Sequence, residues 1–529
     1  MLPAAEIKGR PASEGIFTGP VVAFGATVAS SRPAGSATLE RSELETAIAA
    51  AITAITTLAE KNKGAAADIL GFQIAILEDD ALKTQAFVAI DQGASAADAW
   101  WAALEVEIAG YVSAGDENFS AKGADLKDVR DRVLRTLTGE AKTQMQSGSI
   151  IVGDDLPPTL FLETDWSQGG AIALKNGSSS SHVAMLARSR GVPMVVGLGE
   201  AWPGNCERAI VDGSAGLVLA APPPALIAAY AKRNATEIAQ RDADRQFLLR
   251  AACRHDGTPI SVSINIASVE ELDQINPASC DGIGLMRSEF LFRDGATLPG
   301  EEEQYKAYRR MLEWAEGRPV TIRTLDVGGD KPLRGLTLEG KKNPFLGLRG
   351  IRLTLARPDV FRTQLRALAR AAIHGNLKVM LPMVTLPREL DQSAALFDHC
   401  VTELQAEGKA CSKPPLGIMV EVPAVAISPE LFAKAAFFSI GTNDLTQFVM
   451  ASSRDETSAM DLQDAAHPAI AKLIAGVTAF GHANQIPVSL CGDMASVPQH
   501  LPLLMEAGVT ALSVAPAALA RVKSALSRI

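Results

Sequence analysis

From about residue 38 to 140, apolar residues return at three- and four-residue steps. Leu44, Ile48, Ile52, Ile55 and Leu58 form one stripe, and Ile69, Phe72 and Ile76 form a second. A third runs through Trp101, Leu104, Ile108 and Val112, and a fourth through Leu126, Val129, Val133 and Leu137. That period is helical, so four amphipathic helices with short connections are predicted as a small bundle. On both sides the pattern shortens. "IKGRPASEGIFTGPVVAFG" reads as a strand pair with turns, and "GSIIVGDDL", "GAIALKNG", "VPMVVG" and "RAIVDGSAGLVLA" read as further strands. The helical block is therefore expected as an insertion into an α/β domain whose parts flank it.

Three prolines at 222–224 end that domain, and "ALIAAYAKRNATEIAQRDADRQFLLRAA" reads as a charged linker helix. Beyond residue 255 strands and helices alternate. Eight strand candidates follow in order: "ISVSINI", "GIGLMR", "VTIRTLD", "KVMLPMV", "LGIMVEV", "FFSIGTND", "PVSLCGD" and "ALSVAP". Eight strands with helices between most of them match a (β/α)8 barrel better than an open doubly wound sheet. The expected domains are 1–35 with 143–224, the inserted bundle 36–142, the linker helix 225–254 and the barrel 255–529.

Composition narrows the partners. The chain has 529 residues, 47% apolar and 21% charged, with a formal net charge of -10 that argues against non-specific nucleic-acid binding. Six cysteines lack CxxC pairs or metal-ligand spacing, which points to a reducing compartment. Neither a secretory signal pattern nor an apolar run of membrane-spanning length is visible, so a cytoplasmic location with no membrane partner is expected.

Two regions carry candidate chemistry. In "NGSSSSHVAMLARSRGVPMVVG", residues 176–197, a small polar run meets His182 and then an apolar helix face. His182 is expected at or beside a helix N-terminus, where free N–H groups, the dipole and serine hydroxyls favour an anion. A phosphohistidine fits that setting, and a flexible Ser-rich loop ending in His is the competing reading of this stretch alone.

The second region is the set of barrel strand ends, where such barrels place their active sites. There the sequence sets Arg287, Arg323, Asp326, Asp330, Lys331, Arg349, Arg352, Glu421, Asn443, Asp444 and Cys491. Any one could be a surface charge. Together the arginines suit a small anion carrying carboxylate and phosphate. Glu421 and Asp444 are hard oxygen ligands suited to Mg²⁺. Cys491, with an unperturbed pKa of roughly 8.5, is a candidate proton donor or acceptor near neutrality, or simply a small buried hydrophobe. These groups fit phosphoryl removal from a phosphorylated enol, with the metal stabilising the enolate, the thiol protonating it, and His182 receiving the phosphoryl group.

In "GIGLMRSEFLF", "TLDVGGDK", "NPFLGLRGIR", "FFSIGTNDLTQF" and "SLCGD", and in their order, the chain resembles enzyme I of the phosphoenolpyruvate-dependent phosphotransferase system. The resemblance runs from "ASEGIFTGPVVAF" to "APAALARVKSAL". It implies a swivelling phosphohistidine domain, a bundle that binds an HPr-like phosphocarrier, a linker and a barrel that forms a homodimer. It further implies His182 as the phosphorylated residue and Arg287, Arg323, Arg349 and Arg454 as phosphoenolpyruvate-binding arginines. Lys331 would lie near the phosphoryl group, Asn443 would contact substrate, Glu421 and Asp444 would bind Mg²⁺, and Cys491 would donate the proton.

The chain also departs from the family pattern. "KNGSSSSH" places Lys175 and Asn176 where the family has an acid and a glycine, while Ser180 keeps the hydroxyl two residues before His182. "DDLPPTLFL" is poorer in hydroxyls than the family's loop, Asp493 stands where Glu follows Cys-Gly, and the chain stops soon after the eighth strand. These departures bear on transfer rate and dimer strength, and motivate an alternative: a weakly active or inactive paralogue acting as a phosphocarrier-binding regulatory protein. A dikinase would need a nucleotide-binding domain upstream of His182, for which the bundle leaves no room. A barrel lyase acting on a pyruvate enolate would not use His182 at all.

Overall fold

The computed structural model describes residues 5–25, 34–62, 64–113, 117–139, 145–178, 181–202, 206–292, 298–328, 336, 346–453 and 462–529. The chain packs as two compact units, 1–238 and 239–529.

In the first unit, β1 (Ala5–Lys8), β2 (Arg10–Ser13) and β3 (Ile16–Phe24) precede a helical block. That block comprises α1 (Ala37–Glu60), α2 (Ala65–Glu78), α3 (Asp80–Asp91), α4 (Ala96–Ser113) and α5 (Glu117–Thr138). The periodicity predicts four helices there, and the described residues hold five. The extra helix, α3, starts after a one-residue break from α2, with the intervening Asp79 accepting a hydrogen bond from the Ala81 N–H as N-cap. The abrupt restart leaves its buried Leu82, Ala86 and Ile90 out of phase with the preceding stripe. Glu40, buried in the first turn of α1, accepts from the N–H groups of Gly35 and Ala96 and so ties the starts of α1 and α4 together.

The chain then returns to the sheet through β4 (Ile150–Gly153), α6 (Pro158–Glu163), β5 (Ala171–Leu174), α7 (His182–Arg190), β6 (Met194–Val196), β7 (Arg208–Asp212) and β8 (Leu217–Ala220). The strand order is β1-β8-β7-β3-β4-β5-β6-β2. β3 and β4 run parallel, with Val21 beside Ile150. Parallel neighbours need a long crossover, and the five helices supply it. β4 and β5 are buried along their whole length, as central strands covered on both faces must be. α8 (Pro224–Arg245) follows.

The second unit is a closed barrel of parallel strands. They are β9 (Ser261–Ile266), β10 (Ile283–Arg287), β11 (Val320–Arg323), β12 (Leu377–Leu381), β13 (Leu416–Val420), β14 (Phe438–Ile440), β15 (Val488–Leu490) and β16 (Ala511–Val514). β16 closes on β9, with Leu512 beside Val262. Each of the eight predicted strands is present, and the fold class expected from the sequence holds. Around the barrel lie α9 (Glu301–Trp314), α10 (Ile351–Ala356), α11 (Pro358–Ala371), α12 (Pro387–Ala406), α13 (Pro423–Ile427) and α14 (Thr442–Met450), followed by three further helices. Leu285, Met380, Met419, Phe437 and Cys491 form a separate apolar cluster. Lys523, almost fully buried, donates from Nζ to the carbonyls of Leu248, Arg250 and Ser279, pinning the segment after α8 to the barrel. Among the described residues no helix is long and apolar enough to cross a membrane.

Candidate active site

In the second unit, strand ends bring a cluster of charged side chains together. β11 delivers Arg323 and β10 delivers Arg287, with Glu289 two residues further on. Nη2 of Arg323 lies 2.6 Å from Oε1 of Glu289, and Nη1 lies 3.1 Å from Oδ2 of Asp326. Asp326 also receives Nε and Nη2 of Arg349, at 3.0 and 3.1 Å. The same guanidinium reaches Asp444, Nη1 to Oδ1 at 3.0 Å and Nη2 to Oδ2 at 3.1 Å. The chain Glu289–Arg323–Asp326–Arg349–Asp444 is thus one buried network of alternating charge, every member under 10% exposed. Burial works against both arginine charges, and the carboxylates outweigh it and hold both guanidinium groups protonated. Alternation allows such a network to be buried at all, since an isolated buried charge costs several kcal/mol.

Glu421 follows β13 and is also buried. Its Oε1 accepts from the N–H of Met383 at 2.6 Å. Met383 has φ +56°, a left-handed conformation that costs a non-glycine residue about 1–3 kcal/mol. Gly350, at φ +55°, approaches it so closely that an added Cβ would meet the Met383 Cβ at 3.0 Å. Burial, then the nearby Asp444 and Asp326 carboxylates, push the Glu421 pKa upward, against Arg323 and Arg349. This crowding of carboxylates is relieved by a cation, and the hard oxygens of Glu421 and Asp444 fit Mg²⁺ if substrate or water oxygens complete its shell. Among the described residues there is no cluster of three or more protein ligands.

Asn443, in the first turn of α14, exchanges two hydrogen bonds with Asp493: Nδ2 to Oδ2 at 2.8 Å, and the Asp493 N–H to Oδ1 at 2.9 Å. Cys491 follows β15 on the apolar cluster and accepts from the Ser439 hydroxyl at 3.3 Å. Its thiol corrects the sequence expectation of a group titrating near neutrality. Burial, foremost, pushes its pKa up to about 11, so it stays protonated. Arg287, half-buried, forms no ion pair among the described residues, while Arg323 and Arg349 are already engaged. Arg352 turns away to the Thr385 hydroxyl, 2.6 Å, and the Gly347 carbonyl, 3.4 Å. Asp330, Lys331 and Arg454 lie outside the described residues. The sequence reading missed Glu289 and Met383. Glu289 follows Arg287 within "RSEF", and a second buried charge so close to a strand end was the available signal; Met383 carries none.

In the first unit, His182 is the first residue of α7. Ser181 caps that helix, its hydroxyl accepting from the Ala184 N–H at 3.2 Å, and Gly191 ends it at φ +64°. The expected helix-start position is present; Ser179 and Ser180 lie outside the described residues. Lys175 pairs with Asp154 at 3.1 Å and Glu200 at 3.7 Å. A residue not singled out from the sequence, Asp125 of α5, places Oδ2 2.9 Å from Nδ1 of His182.

Comparison with known proteins agrees with this architecture. The family described as PEP-utilising enzyme, PEP-binding domain, matches residues 241–529. The corresponding N-terminal and mobile domains match 8–122 and 145–216. The chain is 37% identical over 421 residues to a phosphoenolpyruvate-protein phosphotransferase of Geobacillus stearothermophilus, covering 78% of this chain and 73% of that one. A protein of the same name from Haloferax volcanii is 38% identical over 413 residues, 76% of this chain and 72% of the relative. A multiphosphoryl transfer protein of Rhodobacter capsulatus is 36% identical over 460 residues, 85% of this chain and 54% of the relative. With all three PEP-utilising domains matched in order and such identity over most of its length, the chain belongs to the phosphoenolpyruvate-protein phosphotransferase family of PEP-utilising enzymes.

Proposed function

We propose that this protein transfers the phosphoryl group of phosphoenolpyruvate to His182, releases pyruvate, and passes the group on to a histidine of a small HPr-like phosphocarrier. The observation that carries this reading is the buried Glu289–Arg323–Asp326–Arg349–Asp444 network at the barrel's strand ends, with Glu421 and a protonated Cys491 close enough to share its field. Its guanidinium groups are held in place by carboxylates, so an incoming carboxylate or phosphate exchanges for protein partners at fixed donors rather than gathering mobile side chains.

In this reading Arg287, Arg323, Arg349 and Arg454 bind the substrate's anionic groups, Asn443 orients it, and Lys331 lies near the phosphoryl group. The bond between phosphorus and the enol oxygen breaks as a bond to His182 forms, and the electron pair stays on that oxygen. Glu421 and Asp444 would hold Mg²⁺, whose charge stabilises the enolate. Cys491 delivers its proton to the enolate carbon, giving pyruvate, and its raised pKa keeps it loaded for that step. We assign residues 1–35 with 143–224 as the phosphohistidine domain, 36–142 as the phosphocarrier-binding bundle, 225–254 as the linker and 255–529 as the barrel, which dimerises in the cytoplasm. A purely regulatory role has no use for a complete buried charge network around a thiol.

The test is incubation with ³²P-labelled phosphoenolpyruvate and Mg²⁺. Acid-labile, base-stable label on the wild type, absent from His182→Ala, is expected. Wild type that takes no label would overturn the assignment.

A further inference from the structure

We infer that Asp125 is the positioning residue of the phosphoryl acceptor: its carboxylate keeps a proton on Nδ1 of His182, so that Nε2 attacks phosphorus and later departs as neutral imidazole. The inference rests on the reading of His182 as acceptor.

The two residues come from different elements, Asp125 from α5 of the helical insertion and His182 from the first turn of α7. Oδ2 and Nδ1 are 2.9 Å apart. Asp125 is fully buried, and neither of its oxygens has an aligned hydrogen-bond donor. Nδ1 is buried as well, although the His182 side chain keeps 27% exposure, so solvent reaches the ring away from Nδ1. The neighbouring carboxylate does not share this role. Asp128 accepts from Gln73 at 3.1 Å and from the Thr159 N–H and hydroxyl at 3.0 and 2.7 Å. The donors that bear on Asp125 are the imidazole foremost and then the Gln73 side chain, whose amide N–H is directed to Asp128, and a buried carboxylate without an aligned donor is costly.

A neutral imidazole has one N–H, and a carboxylate beside Nδ1 selects the tautomer that places it there. The lone pair is then on Nε2. As the Nε2–P bond forms, the bond to the enol oxygen breaks, and the ring becomes cationic opposite Asp125. In the onward step the Nε2–P bond breaks and its electron pair returns to Nε2. The ring leaves neutral because Nδ1 has kept its proton; without it the leaving group would be an imidazolide anion. One carboxylate thereby serves both half-reactions without transferring a proton.

The test uses the full chain with ¹⁵N-labelled histidine, phosphorylated with phosphoenolpyruvate and Mg²⁺, as wild type, Asp125→Ala and Asp125→Asn. In the wild type, nitrogen shifts should place the proton on Nδ1 and phosphorus on Nε2. Asp125→Ala should move the free ring toward the Nε2–H tautomer. It should also slow both single-turnover phosphorylation and hydrolysis of the phosphoenzyme about ten- to hundredfold. Asp125→Asn, whose amide oxygen can still accept, should recover part of each, and it decides the matter if the alanine variant does not fold. A merely structural ion pair would lower thermal stability while leaving the tautomer and the hydrolysis rate within twofold, and that result overturns the inference. Absence of label on wild-type His182 overturns both this and the acceptor assignment.

Discussion

Arg349 grips Asp444 through two parallel bonds, Nη1–Oδ1 at 3.0 Å and Nη2–Oδ2 at 3.1 Å. A proposed substrate arginine and a proposed Mg²⁺ ligand are therefore each other's partners in the structure. In the proposed function, loading the site would exchange this fork for contacts with substrate and metal, and until then each charge is compensated by the other.

Replacing Arg349 with Met should be costly even though shape is largely kept. Asp326 and Asp444 would lose the guanidinium that compensates them, and breaking one side of a buried ion pair costs about 3–5 kcal/mol. Urea denaturation of the second unit's transition is the measurement, and a loss under about 1 kcal/mol would show the network to be hydrated and weak.

On the proposed role of Cys491 as proton donor, its thiol, with a pKa pushed up to about 11, should set the alkaline limb of turnover. The protonated form is the donor, so the thiol's contribution should persist to about pH 10 and fall only as pH approaches 11. Cys491→Ala should lower turnover by about 10²-fold or more and remove that limb. A limb near pH 8.5 in the wild type would mean that the thiol is not held in its apolar setting.

Gly492 packs against the start of α14, and a Cβ there would sit 1.7 Å from Oγ1 and 2.7 Å from N of Thr442. Gly492→Ala should displace the turn bearing Asn443 and Asp444, cutting turnover by about 10²-fold. Thr442→Ala in the same background relieves the hydroxyl clash but not the backbone one, so rescue should be incomplete. Full recovery of the rate would argue against backbone displacement.

Glu407 is an exposed residue, yet Arg366 foremost, and then Lys409, pull its carboxyl down to about 2. A depressed carboxyl pKa adds stability above its unfolded value near 4.5, and that increment fades as pH falls from 4.5 to about 2. Glu407→Gln should therefore flatten the acid side of the Tm–pH curve between those limits and leave pH values below 2 unchanged. High salt should shrink the difference, because exposed pairs are screened.

Ser181→Ala removes the cap that accepts from the Ala184 N–H, which is worth about 1 kcal/mol. Faster amide exchange in the first turn of α7, with labelling at His182 slowed, is the expected outcome. Unchanged exchange there would show that the turn is fixed by other contacts.

The sequence by itself determined most of the fold. Short, largely apolar runs, most of them flanked by Gly or Pro, marked all eight barrel strands, because a buried parallel strand must be apolar and its ends must turn. It placed His182 at a helix start, since small polar residues before an apolar helical face are what a capped N-terminus requires. It missed α3, whose stripe restarts after a one-residue break and so looks like noise to a periodicity. Tertiary structure alone decided which charges face one another. Asp125 and His182 are 57 positions apart, as their numbers give, on different helices, and nothing local to either announces the other. Arg349 and Asp444 meet 95 residues apart only because the barrel brings strand ends into one ring. Arg352, three residues from Arg349 in the same motif, is turned elsewhere by its position in α10. Burial, too, is a property of the assembled core, and it moves Cys491 from an ordinary thiol to one that keeps its proton.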